Sequence, residues 1–192
     1  MKFEEHEQVA KEYKLGGNYW RPEKGKNKIR LLSEFEVYGE HWIQGEKKSY
    51  ACIGKDDCPR CKDGVKVSPR FLVWVLDRAD GEVKLGQLGY SIIKQIGNLS
   101  KSDDWGYDGF PNYDIEIEKS GSGLDTEYFV TPTPNKDELD GATNAKMKGE
   151  MKDLKGIIGK MKEKAGGSPD VIQVNDDAPP PSEEIKVDDI PF

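Results

Sequence analysis

Pro69-Arg70-Phe71-Leu72-Val73-Trp74-Val75-Leu76-Asp77-Arg78 is apolar on both faces of its alternation. Phe71, Val73 and Val75 point one way, and Leu72, Trp74 and Leu76 the other. Such a strand is predicted to sit mid-sheet with cover on both sides. Ala79-Asp80-Gly81-Glu82 follows as a hairpin turn, Asp-Gly tolerating positive φ, and Val83 to Tyr90 returns as the partner strand.

Upstream, Asn27 to Ser33 and Glu36 to Ile43 read as two further strands. Downstream, Ile92, Ile93, Ile96 and Leu99 recur at helical spacing behind Ser91, a candidate N-cap. Tyr113, Ile115 and Ile117 alternate inward against Asp114, Glu116 and Glu118 outward. A last strand spans Thr126 to Thr131, with Phe129 expected in the core and Pro132 and Pro134 ending it. Four strands, a short helix and two more strands describe a mainly β protein, an OB-fold-like antiparallel barrel. An SH3-like barrel or a small sandwich is the alternative.

Around this core, at residues 15–134, the chain divides by composition. Residues 1–14 form a charged arm of mixed sign. Residues 135–165 form a lysine-rich helix, interrupted near Gly141, with Met147, Met151, Leu154, Ile158 and Met161 as its apolar stripe. Residues 166–192, with Gly166-Gly167-Ser168-Pro169 and Pro179-Pro180-Pro181, lack core-forming residues and read as a disordered acidic tail.

Hydrophobic residues make up 35% and charged residues 34% of the 192-residue chain, so part of it is expected to lie outside any core. No apolar run approaches a membrane span and the N-terminus lacks a signal region, which predicts a soluble, cytoplasmic protein. Net charge is −7, but the tail holds seven acids and one base, leaving −1 for everything before it. Arg21, Lys24, Lys26, Lys28 and Arg30 then face only Glu23 in their own stretch. A locally basic body with an acidic tail fits a binder of polyanions.

The segment from Gln44 to Val67 is polar and has little to bury except Tyr50 and Ile53. It holds all three cysteines, and with His41 they give His-x10-Cys-x5-Cys-x2-Cys: His41, Cys52, Cys58 and Cys61. Four N/S ligands without a carboxylate suit tetrahedral Zn²⁺ in a closed structural site, giving a metal subdomain at about 41–67 whose folding free energy comes from the ion. The alternatives are a buried cysteine beside a surface histidine, or redox chemistry at Cys58-Pro59-Arg60-Cys61. The redox reading lacks the helix of a βαβ unit.

Capture of a single strand without regard to sequence needs cations for phosphates and aromatic faces for bases. Trp20, Arg21, Lys24, Lys26, Lys28 and Arg30 interleave both, as do Trp42, Lys47, Lys48 and Tyr50. Arg70 and Trp74 share one face of the central strand with Arg78, although Trp74 between Leu72 and Leu76 reads first as core. Trp105-Gly106-Tyr107-Asp108-Gly109-Phe110 either folds over a base or caps the barrel, so Trp105 and Tyr107 complete the candidate set.

The order His, Cys, Cys-x2-Cys within a predicted OB barrel that carries an acidic tail resembles the zinc-containing helix-destabilising proteins of T-even and related tailed phages. The resemblance covers roughly Tyr19 to Pro132. It implies single-stranded DNA binding, with the zinc subdomain flanking the DNA cleft. It does not extend to a basic arm, since Lys2, Lys11 and Lys14 stand against Glu4, Glu5, Glu7 and Glu12. Asp188-Asp189-Ile190-Pro191-Phe192 resembles instead the C-terminal tip of bacterial single-stranded DNA-binding proteins. That implies recruitment of replication, recombination or repair proteins: a polymerase, helicase, primase or nuclease. No nucleophile–base–orienter set is evident, so no enzyme is expected. The rivals are a zinc-containing replisome adaptor that binds proteins alone and a duplex-binding recombination factor.

Overall fold

A computed structural model describes residues 19–166. The expected arm, the acidic tail and its Asp188–Phe192 tip lie outside them. The strands are β1 (Tyr19–Trp20), β2 (Gly25–Leu31), β3 (Glu36–Ile43), β4 (Lys48–Ala51), β5 (Val67–Asp77), β6 (Glu82–Gly89), β7 (Asp114–Ser120) and β8 (Glu127–Pro132). The helices are α1 (Pro59–Lys62), α2 (Tyr90–Leu99), α3 (Gly141–Glu150) and α4 (Leu154–Gly166).

β2 and β3 are two halves of one bent strand. Ile29–Leu31 pair with Asp77–Val75, and Glu36 pairs with Leu72. Leu32 N–H bonds to the Trp74 carbonyl at 2.8 Å, so Ser33, Glu34 and Phe35 stand opposite Val73 alone. This bulge bends the strand and lets β3 flare away as a hairpin with the far end of β5. The bent strand, β5, β6, then α2, then β7 and β8 give the OB-like order. β7 returns to pair β2 and β8 pairs β7. Among the described residues β8 does not pair with β6. Instead the Gln95 side chain of α2 donates to the Tyr128 carbonyl at 2.7 Å and accepts from Val130 N–H at 2.9 Å, an amide serving as a surrogate strand across the seam. The parallel edge of β6 is occupied by β1.

The two faces of β5 serve two cores, as its alternation predicts. Val73 and Val75 join Ile29, Leu31, Ile92, Ile96, Tyr113, Ile115 and Ile117 inside the barrel. Leu72, Trp74 and Leu76 join Leu154 and Ile158 outside it, with Met147, Met151 and Met161 packed against them. The lysine-rich region is two helices rather than one. Gly141 begins the first, capped by Asp140, whose carboxylate accepts from Thr143 N–H. The break falls at residues 151–153, where the Lys152 carbonyl leaves the helix to accept the Trp74 indole N–H at 2.9 Å. The polar 44–66 segment also carries β4 and α1, neither of which its composition announces.

Two inward–outward assignments are reversed. Phe129 is 55% exposed, because Tyr128 and Val130 supply the inward positions of β8. Asp114 is fully buried rather than solvated. It accepts from Arg30 Nε at 2.6 Å, Arg78 Nε at 3.0 Å and Asn135 Nδ2 at 2.8 Å, and Arg30 also binds the Asn135 and Asp137 carbonyls. That network ties β2, β5 and β7 to the segment leading into α3. Asp114→Asn should destabilise the protein by about 3–5 kcal/mol in urea unfolding, because Arg30 keeps its buried charge without a counterion. Glu118→Gln, on the exposed part of the same strand, should stay within about 0.5 kcal/mol.

Candidate metal centre and nucleic-acid interface

His41 lies near the end of β3, opposite Val67 of β5 and Tyr50 of β4. Cys52 follows β4, and Cys58 and Cys61 bracket the start and interior of α1, whose turn Pro59 opens. Cys58 Sγ lies 3.4 Å and Cys61 Sγ 3.5 Å from His41 Nε2, and Cys52 Sγ lies 3.5 Å from Cys61 Sγ. All four donor atoms fall within 4.8 Å of one another. Donors around one tetrahedral ion at ordinary Zn–S and Zn–N lengths stand about 3.5–3.8 Å apart, so the cage has metal-sized geometry.

His41 is fully buried, and its Nδ1 faces the Val65 and Lys66 carbonyls at 3.1 and 3.2 Å. Carbonyls can only accept, so Nδ1 carries the proton and the lone pair of Nε2 points at the thiols, as a metal-binding histidine requires. Burial pushes the His41 pKa down, which keeps it neutral. Burial and the neighbouring Cys52 push the Cys61 thiol up to about 12. Cys58 is also opposed by burial, yet backbone N–H groups of Cys61, Ile53 and Arg60 hold its pKa below the usual thiol value. Crowded thiols that cannot all ionise beside each other are what a divalent cation would relieve. Gly39 is required nearby: a Cβ there would meet Val67 Cγ1 at 2.7 Å and Cys52 Cβ at 3.1 Å.

The hairpin base carries a second network on its other face. Glu40 accepts from Arg70 Nε at 2.7 Å and Gln87 Nε2 at 2.8 Å, with the Tyr38 hydroxyl beside them. Burial, with Glu40 adjoining, raises the Tyr38 pKa and keeps the phenol neutral.

The candidate DNA contacts divide sharply. Trp20 is 3% exposed and belongs to the barrel core, while Trp74 is buried under α4, so neither offers a face to a base. The Arg30 guanidinium is engaged by Asp114 and that of Arg70 by Glu40. Trp105 packs edge-on against Tyr113 at 5.3 Å, and the Tyr107 hydroxyl donates to the Ile96 carbonyl. Both residues cap the barrel. Lys26 pairs with Glu116 at 2.8 Å, and Lys28 lies across the sheet from that same glutamate. The basic stripe of β2 is therefore answered by acids of β7. Lys24, Lys28 and Lys47 are exposed, and Arg21, Trp42, Lys48 and Tyr50 partly so. Arg60 covers one face of Tyr50, 3.6 Å from its centroid.

Residue-by-residue reading missed one surface. Val37, Gly39 and His41 pair with Phe71, Pro69 and Val67, so all six share one face of the flared hairpin. Val37 is 57% and Val67 41% exposed, and Phe71 is partly open. This apolar shelf runs from the barrel mouth, where Phe71 pairs with buried Leu88, to the metal cage. Its signal was the Phe71-Val73-Val75 alternation, which extends beyond the barrel onto Val37.

Fold and cage together define an OB-like barrel whose bent first hairpin ends in a Cys₃His cage that could bind a metal ion. No family model matches the chain. It is 30% identical over 97 residues to the "Probable ssDNA-binding protein" of Escherichia phage T5, a match covering 47% of this chain and 36% of that protein. The chain thus matches well under two thirds of that relative's length. No helix among the described residues is long and apolar enough to cross a membrane.

Removing any one cage ligand leaves three donors and an open position, so His41→Ala and Cys58→Ser should each lose stoichiometric divalent-metal binding. Titration of the apo-protein with Co²⁺, followed by its thiolate charge-transfer absorption, reads this directly. A wild-type spectrum in either variant would exclude the cage. Because the ligands must shed protons, the metal should be released as pH falls.

Proposed function

We propose that this protein binds single-stranded DNA without regard to sequence, holds a structural Zn²⁺ and is not an enzyme. The observation that supports the single-stranded DNA binding is the similarity to the phage T5 protein, named a probable ssDNA-binding protein, and the zinc reading rests on the cage. The geometry supports it through the hairpin joining the first two strands of the OB-like order, because OB-folds bind oligonucleotides with that loop. Here the loop is enlarged into the metal subdomain. Bases would lie on the Phe71–Val37–Val67 shelf, with Tyr50 on the same face of the hairpin, Trp42 on the opposite one, and Lys47 and Lys48 at its turn meeting phosphates. Lys24, Lys28 and Arg21 are secondary contacts along the barrel. Such a protein would shield replication, recombination or repair intermediates in the cytoplasm of a host cell. The Asp188–Phe192 tip would recruit partner proteins, Ile190 and Phe192 as apolar anchors beside the acids.

The test is fluorescence anisotropy of a labelled thymidine oligomer titrated with protein, against matched duplex, over a range of salt. Tight binding to the single strand and weak binding to duplex are expected, with affinity falling as salt rises. Lys47→Ala and Lys48→Ala should each reduce the salt slope by about one. Phe71→Ala should cost about 1–3 kcal/mol at unchanged slope, because it removes stacking rather than charge. Equal affinity for duplex would point to a recombination factor. No affinity for either DNA would leave a protein-only adaptor.

A further inference from the structure

Arg60 belongs to no part of the proposed DNA surface, yet it touches three elements. It sits in α1 between the cage residues Cys58 and Cys61. Its guanidinium lies over the Tyr50 ring of β4, 3.6 Å from the centroid, and donates from Nη1 to the Ala165 carbonyl at 3.2 Å. Ala165 is in the last turn of α4, where unpaired carbonyls and the negative end of the helix dipole favour a cation. Beside it, a Cβ on Gly166 would meet Ile53 Cδ1 at 3.6 Å, and Ile53 follows the ligand Cys52 directly. The C-terminal end of α4 therefore touches Ile53 and Arg60, each adjacent to a cage cysteine, while its Met161 and Ala165 pack against the outer core.

Those two residues have few other means of staying in place. Residues 53–57 and 62–64 include only exposed or partly exposed positions, and α1 contains no buried residue. Besides the four ligands, the stretch is held by backbone bonds, Cys52 N–H to the Gly39 carbonyl at 2.7 Å, Cys58 N–H to that of Gly54 at 2.8 Å and Val65 N–H to that of Arg60 at 2.9 Å, with no buried apolar side chain of its own beyond Cys58 among the described residues. The N-terminal half of α4 is held more firmly, by Leu154 and Ile158 buried in the outer core beside Trp74, whereas Met161 and Ala165 nearer its end are only partly buried against it.

We propose that the metal cage is a switch for the seating of α4: filling it fixes Arg60 and Ile53, which lock the C-terminal turn of the helix onto the hairpin. Emptying it frees that turn. Residues 167–192, with seven acids, continue directly from this turn. Cage occupancy thus sets whether the acidic segment starts from a fixed point beside the hairpin or from a frayed helix. Linkage makes the coupling reciprocal: a seated α4 raises metal affinity by the same factor by which metal favours seating. The inference rests on the metal reading above and is independent of DNA binding.

Hydrogen exchange followed by mass spectrometry on the full chain tests it, comparing metal-loaded wild type, chelator-treated wild type, and metal-loaded Arg60→Ala and Arg60→Lys. Amides of residues 159–166 are the readout, those of β5 the internal reference, and Co²⁺ absorption reports cage occupancy. Chelation should speed exchange in 159–166 by about tenfold or more while β5 remains protected. Arg60→Ala should do the same with the Co²⁺ spectrum intact, and Arg60→Lys, which keeps the charge but not the planar stack, should recover only part. Protection of 159–166 that is unchanged by chelation, or unchanged in Arg60→Ala, overturns the switch while leaving the metal cage standing. Loss of β5 protection together with 159–166 also overturns it, because the coupling would then be global unfolding. Failure of the wild type to take up Co²⁺ overturns cage and switch alike.

Discussion

The structure is organised by one strand that must be covered twice. β5 carries large apolar side chains on both faces and pairs with β2, β3 and β6. Each buried Val, Leu or Trp of such a strand contributes roughly 1.5–3 kcal/mol when fully removed from water, so leaving either face open would cost many kcal/mol. One face is satisfied by closing the sheet on itself with α2 inside the seam. The other cannot be, and that requires a second layer, which α3 and α4 provide. The helix pair breaks where it does because Trp74 brings an indole N–H into that outer core, and a buried donor needs an acceptor. Lys152 supplies it by leaving the helical hydrogen-bond pattern.

The same strand decides where the Cys₃His hairpin stands. β5 is longer than the barrel needs, and its first residues run out to pair with β3 after the bulge at Ser33–Phe35. Beyond the barrel there is no apolar layer to hold that extension. Two polar devices replace it: the Glu40–Arg70–Gln87 network on one face and the Cys₃His cage on the other. Both sustain a hairpin too thin to bury a core. Polar contacts thereby do what hydrophobic area does elsewhere in the molecule, and on the cage face the stretch between the barrel mouth and His41 remains open to present Val37 and Val67.

What was legible in the sequence follows from how local each cause is. Strand periodicity on β5, β3 and β7 was readable because side-chain alternation is a property of neighbours in the chain. The cage was readable because three cysteines within ten positions and a histidine upstream leave few other interpretations. The failures all involve partners distant in sequence. Asp114 alternates like Glu116 and Glu118, and only the register that brings Arg30 and Arg78 to it shows that it is buried. Trp20 sits in a basic, polar stretch, yet a two-residue parallel pairing with β6 carries its ring into the barrel. Phe129 and Tyr128 exchanged roles because the seam to α2, not β8 itself, determines which side is inside.

The basic stripe at Lys24–Arg30 shows why counting charges along a chain misjudges a binding surface. Its cations are local in sequence, but their field is set across the sheet. Lys26 and Lys28 each lie beside an acid of β7, and Arg30 is wholly engaged by Asp114. A phosphate approaching that face meets paired charges and must compete with carboxylates already 2.6–2.8 Å from their partners. At the hairpin turn, Lys47 stands in the left-handed backbone region, exposed and at the far tip of the flared strands. Cations held there on a thin arm project their charge past the barrel's own acids, where a polyanion's field is least cancelled. The chain is thus acidic overall and nearly balanced over its body, and it can still attract a polyanion if the attracting charge is carried at the end of the cage-bearing hairpin rather than spread along the strand that seemed to own it.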